Sequence, residues 1–188
     1  MSLINRTLRP FRDYDEKDVL NFGTISGTAL PVNKGTLVKL SVGLKVDQEP
    51  LEMLGNMGDF SVSNTVLQRY GVTPKLVPTN AGDNPLGMTL FDVRETDENG
   101  EQLKYRPRKA AEMEAVISGQ AVPIVTRGIF QYSGGATGTI AAGDPAYAGP
   151  NGLITPFSGG AGANVKVGKF LGPTGSDGSA YIWLNIQN

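Results

Sequence analysis

One pattern in this chain is written twice, and it restricts the possible folds more than any other feature. Residues 35–44 read GTLVKLSVGL and, after an insertion, 74–93 read PKLVPTNAGDNPLGMTLFDV; residues 143–154 read GDPAYAGPNGLI and 165–172 read VKVGKFLG. In each half a glycine followed by a small or acidic residue opens a short strand, and a turn and a second strand come next. An apolar or small residue then precedes Gly87 or Gly168 and a third strand with alternating side chains. Such self-similarity marks a β unit built twice. It predicts a mainly β protein, a compact β-barrel or sandwich of two pseudo-repeated halves at about 26–115 and 116–188, with little helix. An extended N-terminal arm over residues 1–25 precedes a single β-domain over 26–188.

Composition removes much chemistry. A chain of 188 residues holds one domain with a real core. No apolar run approaches the roughly 20 residues that span a bilayer, so no membrane partner is expected. The N-terminal text MSLINRTLRPFRDYDEKDV has no apolar stretch of signal-peptide length, and secretion by that route is not expected. Without cysteine there are no disulfides, thiolate nucleophiles or cysteine zinc sites; without histidine the commonest general base and transition-metal ligand are missing too. A net charge of −1 supplies no global field for nucleic acid.

In the arm, Arg6, Arg9 and Arg12 precede Asp13, Asp15, Glu16 and Asp18, with Leu3, Ile4, Leu8, Phe11, Tyr14 and Phe22 between them. Pro10 breaks any helix there, and the apolar residues keep neither helical nor strand period. Ordering backbone costs about 1–2 kcal/mol per residue, so such an arm rests on its own body or on a neighbour, and a neighbour is the favoured expectation. From Ser26 to Leu44, Asn33-Lys34-Gly35 marks a turn, Thr36, Val38 and Leu40 alternate with Leu37, Lys39 and Ser41, and two strands are expected. Residues 50–70 interrupt the first repeat with Leu51, Met53, Leu54 and Met57, either a flap over one end of the barrel or a methionine surface for a partner.

Strand alternation returns over Met88–Arg94. Asp97-Glu98-Asn99-Gly100 reads as a solvated hairpin tip, because Asn-Gly suits a tight turn; its carboxylates lack the ligand spacing of an EF-hand loop. Lys104, Arg106, Arg108 and Lys109 form the one basic cluster, with an acidic protein patch a better partner for it than phosphate. The stretch AAEMEAV that follows is expected to start a short helix or strand. From Gly128 to Asn188 the only charged residues are Asp144, Lys166, Lys169 and Asp177. Strand text lies between the glycine loops there, most clearly in AYIWLNI, where Tyr181, Trp183 and Asn185 alternate with Ile182, Leu184 and Ile186. So few charges suit surfaces that pack against identical or related neighbours, where charge would be desolvated at a cost.

Catalysis in such a chain would fall to carboxylate pairs, a lysine, or serine with lysine. Neither Gly-x-Ser-x-Gly nor Ser-x-x-Lys occurs, and Gly172-Pro173-Thr174-Gly175-Ser176 lacks the lysine and length of a phosphate-binding loop. Asp83 and Asp144, each after glycine and close to proline, are turn signals. No enzyme, cofactor or metal is expected.

The order of a strand ending near Ile129–Tyr132, then AAGDPAYAGPNGLITPF, VKVGKFLG and DGSAYIWLN, with an earlier copy in KGTLVKL and PLGMTLFDV, resembles small phage capsid decoration proteins, also called cement proteins. The resemblance covers about residues 26–49 and 74–188; Ala146 stands where the family pattern has a β-branched residue. It implies a non-enzymatic virion protein on the outer surface of the capsid. Such a protein binds the major capsid protein lattice and neighbouring copies of itself, as a trimer or dimer, and strengthens the head against internal DNA pressure. Arg6, Arg9, Phe11, Arg12 and Tyr14 are then the capsid-binding candidates, since arginines and aromatics anchor interfaces. The alternative is another virion surface or carbohydrate-binding β module, fibre base or receptor-binding, for which Trp183, Tyr181, Tyr147 and Phe157 are the candidate aromatics.

Overall fold

The computed structural model describes residues 9–10, 14–25, 30–43, 74–133, 140–156 and 164–186. In chain order their strands are β1 (Arg9–Pro10), β2 (Val19–Leu20), β3 (Leu37–Val42), β4 (Lys75–Pro78), β5 (Gly87–Thr89), β6 (Asp92–Arg94), β7 (Ala115–Ile117), β8 (Ile124–Val125), β9 (Arg127–Tyr132), β10 (Pro145–Ala148), β11 (Ile154–Thr155), β12 (Lys166–Phe170) and β13 (Ala180–Asn185). One α-helix, α1 (Pro107–Glu112), opens on Pro107, whose missing N–H costs nothing in a first turn. The protein is mainly β with little helix, as the repeated text predicts.

Two antiparallel sheets form the body. The larger runs β1-β9-β13-β12-β10-β11 and the second runs β2-β8-β5-β3-β4; β6 and β7 pair separately and in parallel. The larger sheet curls into half a barrel. Flat strands four places apart lie about 19 Å from each other, yet the Ile154 N–H on β11 donates to the Tyr132 hydroxyl on β9 at 3.1 Å. Its concave side carries Phe130, Tyr132, Val167, Phe170, Ile182 and Leu184, which pack with Leu37, Met88 and Val125 of the second sheet. On the other side of the second sheet, Val38 and Ile124 pack with Ile25, Val32, Leu76, Val93 and Val122.

The second sheet is therefore a middle layer. Leu37 and its neighbour Val38 point to opposite faces, as do Ile124 and Val125, and all four have 0% exposure. The expected alternation in β3 separates two cores near its start, not core from solvent; its far end, from Leu40 to Val42, is exposed. Only one strand forms between 30 and 43, preceded by an isolated bridge from Val32 to Val93, where two strands were expected. The expected continuous strand over Met88–Arg94 also breaks at Leu90 and Phe91 into β5 and β6, which belong to different sheets.

The two segments of repeated text build matching frames. In each, the first strand pairs with both the second and the third, giving the orders β4-β3-β5 and β11-β10-β12. Val38 faces Gly87 and Leu37 faces Met88; likewise Ala146 faces Gly168 and Pro145 faces Lys169. The Gly35 N–H donates to the Thr89 carbonyl at 2.8 Å, and the Gly143 N–H donates to the Phe170 carbonyl at 2.8 Å. Gly35 and Gly143 hold φ near +83° and +93°, where a side chain would be strained. Gly87 and Gly168 are needed for another reason. A Cβ on Gly87 would meet Ile124 and the Val125 carbonyl, and one on Gly168 would overlap the Trp183 carbonyl.

The N-terminal segment departs from expectation. Its described parts, 9–10 and 14–25, rest on the chain's own body. Val19 and Leu20 pair with Val125 and Ile124 at the edge of the second sheet, and Ile25 has 0% exposure. The Leu76 N–H donates to the Thr24 carbonyl at 2.8 Å and the Thr126 N–H to the Asp18 carbonyl at 2.9 Å. The physical reason is that Tyr14, Leu20 and Ile25 supply apolar surface to both cores, which offsets the entropy of ordering the segment. The insertion at 50–70 lies outside the described residues.

Candidate functional site

Two surfaces carry the polar side chains that matter, and they handle charge in opposite ways. The first is the corner built by the 96–102 hairpin and α1. Thr96 bridges to Gln102, and Gly100 takes φ near +82° at the tip, as an Asn-Gly turn requires. Asp97 is not a solvated tip residue. Its carboxylate is buried, accepts the Asn99 and Glu101 N–H groups at 2.8 Å each, and receives the Lys109 ammonium from α1. The Lys109 ammonium, followed by those two backbone donors, holds the Asp97 carboxyl below the usual carboxylate range. Asp97 in turn raises Lys109 above the ordinary lysine value.

The rest of the basic cluster is also occupied. Arg106 pairs with Glu101 at 2.8 Å, Arg108 lies 4.0 Å from Glu112, and the Lys104 ammonium sits 4.9 Å from the Tyr105 ring centroid. A hollow of about 450 Å³ is lined by Tyr105, Arg106, Pro107, Arg108, Lys109 and Glu112, so its cations face carboxylates of the same chain. Elsewhere in the first frame, Lys39 on β3 pairs with Asp83 at 2.8 Å and lowers its pKa.

The second surface is the convex face of the larger sheet. Along β13 the alternation is as the sequence predicts: Ala180, Ile182 and Leu184 are buried, while Tyr181 and Trp183 are 41% and 36% exposed. Trp183 stands directly opposite Lys169 on β12 and Ile129 on β9; Asn185 stands opposite Arg127, and Tyr181 opposite Gln131. Lys166, Gly168, Lys169, Trp183 and Asn185 line a shallow depression of about 350 Å³. Gly168 adds only backbone there, so the long side chains on either side of it stand around a floor.

Among the described residues Arg127, Lys166 and Lys169 form no ion pair, whereas all six ion pairs there lie in the 83–114 region or join it to β3 and its turn. No carboxylate occupies an outward position on β9, β10, β12 or β13. The nearest in sequence are turn caps. Asp144 accepts the Ala141 N–H at 2.7 Å. Asp177 accepts the Ser179 hydroxyl and N–H, the hydroxyl being the main cause of its lowered pKa.

Of the capsid-binding candidates read from the sequence, Arg6, Phe11 and Arg12 lie outside the described residues. Arg9 belongs to β1, at the edge of the larger sheet, in register with Gln131. Tyr14 is half-buried and packs on Phe130, ring centroids 6.2 Å apart, against the larger core. Among the candidate aromatics, Trp183 and Tyr181 share the convex face; Tyr147 is half-buried on β10 opposite Lys166, and Phe157 lies outside the described residues. Sequence reasoning passed over Lys166 and Lys169 as isolated charges. Their spacing of three hides the fact that both reach one face, because the register shifts between Ala146 and Tyr147.

No group of three or more carboxylate side chains converges to hold a metal ion among the described residues, and no helix there is long and apolar enough to cross a membrane. No protein-family model matches the chain, and no curated protein is significantly similar to it.

Proposed function

We propose that this chain is a non-enzymatic structural protein of a phage virion, a decoration or cement protein that adds to the outer surface of the major capsid protein lattice and stabilises the head. The observation that supports this reading is the pair of matching frames. The segments whose text resembles decoration proteins, 35–44 with 74–93 and 143–154 with 165–172, use the same strand order, the same glycine-facing register and the same hydrogen bond from the opening glycine, Gly35 or Gly143. A duplicated, hydrogen-bonded β frame suits a load-bearing role, and contacts between neighbouring copies on a lattice raise effective concentration, so weak individual contacts suffice.

The test is co-sedimentation of the purified chain with empty phage heads before and after expansion. Saturable binding to expanded heads is the expected result; no binding to either form overturns the reading. The contribution of the N-terminus is measured with a chain lacking residues 1–8. A deletion to residue 22 would remove β2 and Tyr14 and unfold the body, and would confound the comparison.

A further inference from the structure

We infer that the convex face of the larger sheet is a binding platform for an acidic polysaccharide, with Trp183 as the stacking surface and Lys166, Lys169 and Asn185 as the polar contacts. Trp183 presents a large, rigid, partly exposed ring beside a depression of about 350 Å³, within the lower range of small-ligand sites. An indole in that position offers its flat face to the apolar C–H face of a pyranose at little entropic cost. Lys169 stands directly across from it, and Lys166 and Asn185 border the same depression. The charged groups are donors only, so the fitting ligand brings acceptors: hydroxyls for Asn185 and a carboxylate for the ammonium groups.

Charge selects the class. Arg127, Lys166 and Lys169 lie on one face with no carboxylate in the outward positions of its strands, although the chain as a whole carries a net charge of −1. In the other frame the cation on the central strand, Lys39, meets an acid of the same chain, Asp83, at 2.8 Å. A neutral sugar would leave the three cations without purpose. A nucleic acid strand would ask for a longer basic track than three cations provide. The inference stands whether or not the chain decorates a head.

Trp183 is the only tryptophan in the chain, so its fluorescence reports on this site alone. The full-length protein is titrated with oligogalacturonate, with a neutral galactan oligomer and with a thymidine oligonucleotide. The expected result is a saturable change in Trp183 emission with oligogalacturonate only, weakened when ionic strength rises from about 0.05 to about 0.5 M. Lys169→Ala and Lys166→Ala each weaken binding about threefold, the size of an exposed ion pair. Trp183→Ala, read by calorimetry, abolishes it; Tyr181→Ala, further along the strand, serves as the folded control. Equal binding of the neutral oligomer, binding of the oligonucleotide instead, or no response to any of the three overturns the inference. So does loss of head binding in Lys169→Ala without any sugar response, which would make this face a protein-docking surface. A chain that binds oligogalacturonate but no heads keeps this inference and loses the decoration reading.

Discussion

The β4-β3-β5 frame and the β11-β10-β12 frame share their pairing but differ in what covers them. The first lies in the middle layer, with the larger sheet on one side and the β6–β7 unit on the other, and its Lys39 is paired with Asp83. Among the described residues the second is covered on its concave side alone, and its convex side shows Trp183 flanked by lysines that form no ion pair there. A few glycines and backbone hydrogen bonds are enough to define the frame, whereas the availability of a face depends on what the connecting segments place over it. The first frame is covered by the long segment between β5 and β8.

The largest difference between the frames is expected at the position two residues after the equivalent glycines. Phe170 fills the larger core there, while Thr89 instead hydrogen-bonds to the Asn33 carbonyl at 3.1 Å and accepts the Thr36 N–H. Phe170→Ala should cost about 4 kcal/mol in chemical denaturation, the loss of a fully buried ring plus its cavity.

Next come the glycines. Gly168→Ala should cost about 3 kcal/mol and Gly87→Ala about 2 kcal/mol, because the added Cβ presses on the backbone of β13 in one case and partly on the movable Ile124 side chain in the other. If one of them is neutral, the equivalence of the two frames is broken.

The third effect is read against pH and sharpens the contrast in charge. Asp97 has a lowered folded-state pKa, so its contribution is complete above the ordinary value of about 3.9 and is lost as pH falls through the folded value. Lys109 is raised, so its contribution is complete below about 10.4 and lost as pH rises through the folded value. Asp97→Ala should lower the melting temperature at pH 7 and flatten part of its fall in acid, Asp83 and Asp177 supplying the remainder. Lys166→Ala, at a lysine that meets no acid among the described residues, should leave the melting temperature at pH 7 unchanged.

How much of this was legible in the sequence depends on how local each cause is. The mainly β class, the turn at Asn33–Gly35 and the two faces of β13 follow from turn chemistry and period-2 alternation, which act over a few residues. The role of Gly87 and Gly168 was marked by their repetition, though the reason, close approach of the next strand, is tertiary. Burial of both faces of β3 was hidden because Leu37 and Val38 fit an alternating pattern as well as a buried run. The parallel pairing of β6 with β7 joins strands of three residues each, too short to show a partner preference. The Asp97–Lys109 pair depends on α1 folding back over the hairpin, and the docking of Tyr14 on Phe130 depends on a contact more than a hundred residues away in the chain. Neither leaves a periodic trace. The open basic face was missed for a similar reason, since it gathers residues from β9, β12 and β13.

The most direct test of the whole account uses the single tryptophan. The chain is produced with 5-hydroxytryptophan at position 183, which can be excited where the ordinary tryptophans of a capsid do not absorb, and is mixed with expanded heads. After sedimentation, acrylamide quenching of the bound protein is compared with that of the free protein. The account predicts that the chain sediments with the heads and that Trp183 stays as accessible as in solution, its face turned outward. A chain that stays in the supernatant, or one that sediments with Trp183 shielded, would contradict it.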